Sequence, residues 1–420
     1  MASKLDNARA WEARLERASA YALYLHVPFC AQKCAYCDFA SWATRRGDPL
    51  MSAYADALAS QVRELEGLGV LEGLHTAYIG GGTPSLLGAP TLGGLVACAS
   101  ALDPEELSCE ANPDSLGNDV IEALLSNGAT RVSIGVQSLV DTELVELGRL
   151  HDSALAQERV RAAVGSGLDV SCDLMCATPG QTDASWQETL EAAIALGVPH
   201  MSVYPLMIEE GTVFDRRYSN DECAWNSDEL QARRMQKAQV ELERHGFNQY
   251  EVASYAKADK ACKHNIAYWT AQPYFGLGTK ASSMLTLNLY LKLCDACRSL
   301  PAPPSEASRA RLTVKNSRSE IVRDPRLASL RFDIEFLTEA QAAAEDLMLG
   351  ARMRAGLDPG LVAHARRLLP SLDECLDGLV TDGYLTARVG RFTPTDRGWL
   401  LGNELYERLW DLAPGDVLEL

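Results

Sequence analysis

Residues 21–39 read YALYLHVPFCAQKCAYCDF. The first seven form a β-rich run closed by Pro28, and a loop carrying Cys30, Cys34 and Cys37 follows at once. Thiols this close in one loop wrap a single inorganic centre with little closure entropy, and soft sulfur suits iron–sulfur or zinc. Zinc would want a fourth Cys or His at knuckle spacing, and none follows within the loop. On a four-iron cluster, three thiolates leave one iron open to chelate the amino and carboxylate groups of a small molecule.

Five further β-rich runs follow downstream: TAYIG (76–80), ELSCEA (106–111), RVSIGVQS (131–138), LDVSCDLM (168–175) and HMSVYPLM (200–207). Helical periodicity fills the gaps between them, as with Leu58, Val62 and Leu65, or Ile121, Leu124 and Leu125 before the stop signal Asn127-Gly128. Strands joined through helices demand a parallel sheet. The expected fold is therefore α/β, an incomplete (β/α)6 barrel or a wound open sheet, with the site on the loops that leave the C-terminal strand ends.

Further along, a helix is expected from Trp225 to His245, followed by the short apolar and aromatic stretch FNQYEVASYA. The Pro-, Ser- and Arg-rich segment from Cys294 to Asp333 reads as an irregular insertion marking a domain boundary, and its Cys294-x2-Cys297 pair is either a labile metal site or part of that insertion. Beyond it, two amphipathic helices precede a helix, two short strands and a final helix, the pattern of a small winged-helix-like α+β domain. The division expected is an N-terminal helix (1–20), a barrel (21–250), a barrel-closing segment with the insertion (251–334) and a C-terminal domain (335–420).

The chain has 420 residues, 39 Lys and Arg against 57 Asp and Glu, and a formal charge of −18. Its 47% apolar content excludes a disordered protein. The acidic balance disfavours nucleic acid and anionic membranes, and Asp373, Glu374, Asp377 and Asp382 around the winged-helix-like segment favour docking over DNA reading. The charged start has no signal-peptide core, and no stretch reaches about 18 consecutive apolar residues, so a cytoplasmic protein without membrane insertion is expected. In that reducing compartment metal binding or burial, rather than disulfides, accounts for the twelve cysteines.

At the strand ends, Gly80-Gly81-Gly82-Thr83-Pro84 brings bare backbone close to a ligand. Glu110 and Asp173 can accept from ribose hydroxyls or an ammonium, and Arg149 can pair with a carboxylate. His264, in HNIAYW (264–269), is a histidine beside aromatics that could ligate heme iron, and Cys262, two residues earlier, is either a second heme-contacting group or, as preferred, a buried thiol.

The CxxxCxxC spacing with Tyr36 before the last cysteine resembles the signature of radical S-adenosylmethionine (SAM) enzymes. YLHVPFCAQKCAYCDF, GGGTPS, EANPD, SIGVQS, LGRLH, DLM, PGQT, YEVASYA and HNIAYW look like the branch holding the oxygen-independent coproporphyrinogen III oxidases and the HemW heme chaperones. The resemblance implies a [4Fe–4S] cluster on Cys30, Cys34 and Cys37, and SAM contacts at Tyr24, Gly81, Gly82, Thr83, Glu110, Gln137, Arg149 and Asp173, with Tyr36 beside the cofactors. It also implies heme at His264 and an apo-hemoprotein acceptor, such as a respiratory protein. The oxidases carry another cysteine two places after the third ligand. Here that position is Phe39, which favours the chaperone over a decarboxylase working through a 5′-deoxyadenosyl radical. A third alternative is a docking module whose cluster acts as a sensor. The chaperone's GLPGQ is replaced by ATPGQ (177–181), and the loop after Tyr274, FGLGTKASS, also departs from its pattern.

Changing Cys30, Cys34 or Cys37 to Ala is expected to abolish the broad visible absorption of the anaerobically reconstituted protein. Four irons and four sulfides retained by the triple variant would refute the assignment and point to Cys294 and Cys297.

Overall fold

The computed structural model describes residues 19–218, 224–297, 299–388, 390–413 and 415. The helix expected over 1–20 falls outside them but for its last two residues. All six expected strands form: β1 (Ala22–Val27), β2 (Thr76–Gly81), β3 (Glu106–Ala111), β4 (Arg131–Gln137), β5 (Asp169–Cys176) and β6 (His200–Pro205). They lie side by side in chain order, and every neighbouring pair is parallel. Between them run α1 (Pro49–Gly67), α2 (Ala89–Ser100), α3 (Asn118–Ser126), α4 (Asp141–Glu146), α5 (Ser153–Ser166) and α6 (Asp183–Ala195).

The helix ends follow local chemistry. Asp48 and Asp152 cap α1 and α5, and Thr182 with Ser185 closes a capping box on α6. On the strands, Leu107, Cys109, Val132, Ile134, Val170 and Cys172 belong to the apolar core. The alternate residues Glu110, Ser133, Ser171, Asp173, His200 and Ser202 line an internal cavity. Period-2 alternation thus gives the curled sheet an apolar outside beneath the helices and a polar lumen, the arrangement of a partial barrel.

After β6 come α7 (Val213–Tyr218), α8 (Asp228–Arg244), β7 (Asn248–Gln249), β8 (Ser254–Ala256), α9 (Lys263–Trp269) and β9 (Tyr274–Leu277). β8 joins antiparallel to β6, and β9 joins parallel to β1 on the other edge. The segment expected to be irregular is ordered. β10 (Ser282–Thr286) and most of α10 (Leu287–Ala296) precede it; it holds β11 (Ala307–Val314), α11 (Arg318–Arg323) and the start of β12 (Phe332–Thr338), and β10, β11 and β12 extend the sheet antiparallel to twelve strands in the order β12-β11-β10-β9-β1-β2-β3-β4-β5-β6-β8-β7. The expected boundary at 334/335 lies inside β12. Cys297 is buried with its thiol donating to the Leu327 carbonyl, which leaves the Cys294/Cys297 pair with an ordinary structural account.

The arginines of β11 obscure it as a strand. Arg309 is buried and gives two bonds to Asp346 and one to Glu345 of α12 (Glu339–Gly350), while Arg311 reaches Glu345 at 2.9 Å. A second core, built on Leu347, Leu361, Leu376, Leu385 and Leu405, holds α12 against α13 (Pro359–Leu368), α14 (Leu372–Thr381), β13 (Leu385–Arg388), β14 (Arg391–Pro394) and α16 (Gly402–Trp410), while α15 (Asp396–Leu400) gives Trp399 to the barrel core. Trp399 Nε1 bonds the Val252 carbonyl at 2.8 Å, tying this unit to the segment after β7.

Removing one partner of a buried ion pair strands the other charge. Asp346→Ala is expected to destabilise the chain by about 3–5 kcal/mol, seen as a lower urea midpoint. A loss under about 1 kcal/mol would show that Glu345 alone satisfies the buried Arg309 charge.

Candidate functional site

Every residue singled out as a cluster, SAM or heme contact lines one cavity of about 750 Å³ at the C-terminal ends of β1–β6, and so does Cys262. The cysteine loop is held over it from several sides. The Gly82 and Thr83 amides donate to the carbonyls of Val27 and Phe29 at 2.9 and 2.7 Å, which prolongs the β1–β2 pairing into the loop. No side chain fits at this junction. A Cβ on Gly81, whose φ is +112°, would lie 2.4 Å from the His26 ring, and one on Gly82 would lie 2.7 Å from the Phe29 carbonyl. The Ala35 amide donates to the Leu147 carbonyl, and the Ala35 carbonyl accepts from Phe214 of α7.

His26 locks the far end of the loop. Its Nε2 donates to the Ala40 carbonyl at 2.8 Å, which fixes the tautomer and leaves Nδ1 to accept from the Tyr24 hydroxyl at 2.9 Å. Burial lowers its pKa below the usual imidazole value, keeping the ring neutral.

Cys30 is buried and accepts from Thr83 Oγ1 at 3.6 Å, while Arg149 Nη1 donates to Cys34 Sγ at 3.5 Å. Asn112 joins these two contacts, its Nδ2 donating to Thr83 Oγ1 and its Oδ1 accepting from Arg149 Nη2. Burial raises the Cys30 and Cys37 thiols, an effect that a positive centre bound to the sulfurs would reverse. Among the described residues no three His, Cys, Asp or Glu side chains gather as a single-ion site. A donor set of three spaced thiols fits a multi-iron cluster, with Arg149 and Thr83 as donors to the sulfurs.

Glu110 accepts from the Gly81 amide at 2.9 Å and the Tyr78 hydroxyl at 3.0 Å. Asp173 accepts from the hydroxyls of Ser133 and Ser171. Gln137 sits at φ +68°, where β4 breaks register after Gly135. Tyr24 and Tyr36 complete the wall. His26, Asn112 and Ser133 were not singled out in the sequence. His26 and Asn112 lie inside quoted motifs, but nothing in their spacing shows that their partners are Ala40, Thr83 and Arg149.

His264 departs from its expected part. It is 1% exposed, its two ring nitrogens are hydrogen-bonded to the hydroxyls of Thr76 and Tyr268, and its ring stacks on Tyr78. Burial takes its pKa to about 3. Neither nitrogen is free to ligate iron in this arrangement. Cys262 donates its thiol to Glu106. The PGQT motif is structural: buried Gln181 accepts from the Ala177 amide and from Arg234, and its own amide donates to Glu143.

Comparison with known proteins gives the family. The radical SAM superfamily pattern matches residues 24–193, and it implies a [4Fe–4S] cluster and SAM for this chain. The heme chaperone HemW of Lactococcus lactis is 31% identical over 395 residues, covering 92% of this chain and 96% of that protein. The chain belongs to the HemW family. The heme chaperone HemW of Escherichia coli K12 is 35% identical over 272 residues, 63% of this chain and 70% of that one. The solved coproporphyrinogen III oxidase HemN of Escherichia coli, a radical SAM enzyme, superposes with a TM-score of 0.72 over 95% of this chain and 92% of its own, at 19% identity, and so shares the fold. No helix among the described residues of this HemW relative is long and apolar enough to cross a membrane.

Burial pushes the Glu110 carboxyl from its ordinary 4.5 up to about 7, although its two hydrogen bonds pull the other way. Between those values the folded chain keeps a proton that the unfolded chain has released, so this group makes stability fall as pH rises through that window. Urea midpoints measured at about pH 5 and about pH 8 are expected to differ less in Glu110→Gln than in the parent. An unchanged difference would mean that Glu110 ionises as freely folded as unfolded.

Proposed function

We propose that this chain is a heme chaperone that holds a [4Fe–4S] cluster on Cys30, Cys34 and Cys37, binds SAM beside it, and passes heme to an apo-hemoprotein in the cytoplasm. The observation that carries the reading is the nearly end-to-end match to proteins named heme chaperones. Phe39, at the position where an oxidase would carry a further thiol, supports the same reading.

A bound cluster supplies an open iron for the amino and carboxylate groups of SAM. The chain's own groups do the rest. The Gly81–Thr83 backbone presents amides and carbonyls at the strand end, with Thr83 tied to Cys30 and Asn112. Glu110 and Asp173 offer acceptors to an ammonium or a ribose, and Arg149 offers a cation to a carboxylate. A bound cation or hydroxyl donor favours the ionised form of Glu110, so SAM binding is expected to weaken as pH falls below about 7. Gln137, in its left-handed conformation at the end of β4, presents its amide to the same space. A cationic ligand beside Glu110 and Asp173 would offset the cost of burying their charges.

Anaerobically reconstituted protein is expected to show a cluster EPR signal that SAM perturbs. Asp173→Ala should weaken that perturbation by about 10- to 150-fold in affinity, through loss of a charge-assisted hydrogen bond. The same preparation should take up about one heme per chain and turn over negligible coproporphyrinogen III. Robust decarboxylation to protoporphyrinogen IX would replace this reading with the oxidase, and a spectrum blind to SAM would remove the SAM site.

A further inference from the structure

The polar lumen is a poor place for a macrocycle. Glu110, Asp173, Arg149, Ser133, Ser171 and His200 all face it, and pressing an apolar ring against them would cost their hydration. A cavity of about 750 Å³ has the size that holds one ligand of SAM's class, and the cluster and SAM occupy it in the proposed chaperone. His264, at the inner end, has both nitrogens engaged.

The lining changes at the mouth. Phe39 from the cysteine loop is 65% exposed, and Met207 from the segment after β6 is 60% exposed, yet both line the same cavity, as does half-exposed Tyr204. Scattered exposed apolar residues are ordinary, but large ones from distant segments that share one rim form a binding surface. Met207 brings a thioether, a soft ligand that heme iron accepts axially. Lys33 lies at the same mouth, its Nζ on the Phe39 carbonyl at 3.1 Å, as a cation for one propionate. Asp38 and Glu209 on that rim turn the other propionate toward water.

We propose that heme docks outside the barrel, across its mouth, with the macrocycle on Phe39 and Met207 and the Met207 thioether as the iron ligand. The inference rests on the heme-chaperone reading and specifies where that cargo sits. A heme held this way keeps one face open to an acceptor, and its release leaves the cluster and SAM undisturbed.

The test is a hemin titration of the reconstituted full-length protein, followed in the Soret region with and without saturating SAM. In Met207→Leu, which keeps bulk and loses sulfur, the Soret band is expected to shift while heme still binds. In Phe39→Ala/Met207→Ala, affinity should fall about tenfold or more through lost apolar contact, with cluster absorption intact. SAM should not compete with heme. A parent-like spectrum in Met207→Leu, parent-like affinity in the double variant, competition by SAM, or heme uptake lost in His264→Gln but kept in the double variant would each overturn the placement. A parent protein that binds no heme would overturn the chaperone reading itself, an outcome distinct from any of these.

Discussion

Everything at the site depends on the parallel register of β1–β6. Parallel neighbours point all their C-terminal ends to one rim, so loops far apart in sequence must meet there. The cysteine loop leaves β1, Thr83 leaves β2, Asn112 follows β3, and Gln137 and Asp173 sit near the ends of β4 and β5. One antiparallel step among these strands would send a contributor to the opposite rim. The outer strands β8 and β9–β12 do pair antiparallel, β9 against β1 excepted, and they supply few groups to the cavity. Their work is to cover both barrel edges and to anchor the C-terminal unit through Arg309 and its carboxylates.

Electrostatics then separates the inside of the barrel from its mouth. Inside, desolvation raises the pKa of the buried carboxyls Glu110 and Asp173, and hydrogen bonds from hydroxyls and a backbone amide pull the other way. Such a lumen suits a charged, hydrogen-bonding ligand. Asn112 matters because it fixes Arg149 and Thr83 together, and through them orients donors at Cys34 and Cys30. At the mouth the chemistry turns apolar within one loop, from Cys37 to Phe39, so a polar cofactor and an apolar cargo can occupy adjoining but separate ground.

The six barrel strands are legible because apolar residues packed beneath the helices recur at every second position, with small or polar lumen residues between them and Gly, Pro, Asn or Asp at the ends. β11 is not legible in the same way. Its Arg309 and Arg311 look solvent-facing until Glu345 and Asp346 arrive from a helix more than thirty residues on. β12, by contrast, shows clean alternation from Phe332 to Phe336, which a boundary placed on Pro, Ser and Arg content cuts through.

The amino-acid sequence by itself determined the class of fold, the cysteine triplet and the strand-end groups, because these rest on local periodicity, spacing and residue chemistry. Tertiary structure alone decided which groups are free. His264 and Met207 illustrate the difference. The first reads as a ligand and is engaged at both nitrogens by Thr76 and Tyr268; the second reads as an ordinary apolar residue and stands exposed on the cavity that Phe39 also lines. A side chain's availability depends on partners brought to it by the fold from 188 residues away, as Thr76 is to His264, and no local pattern carries that information.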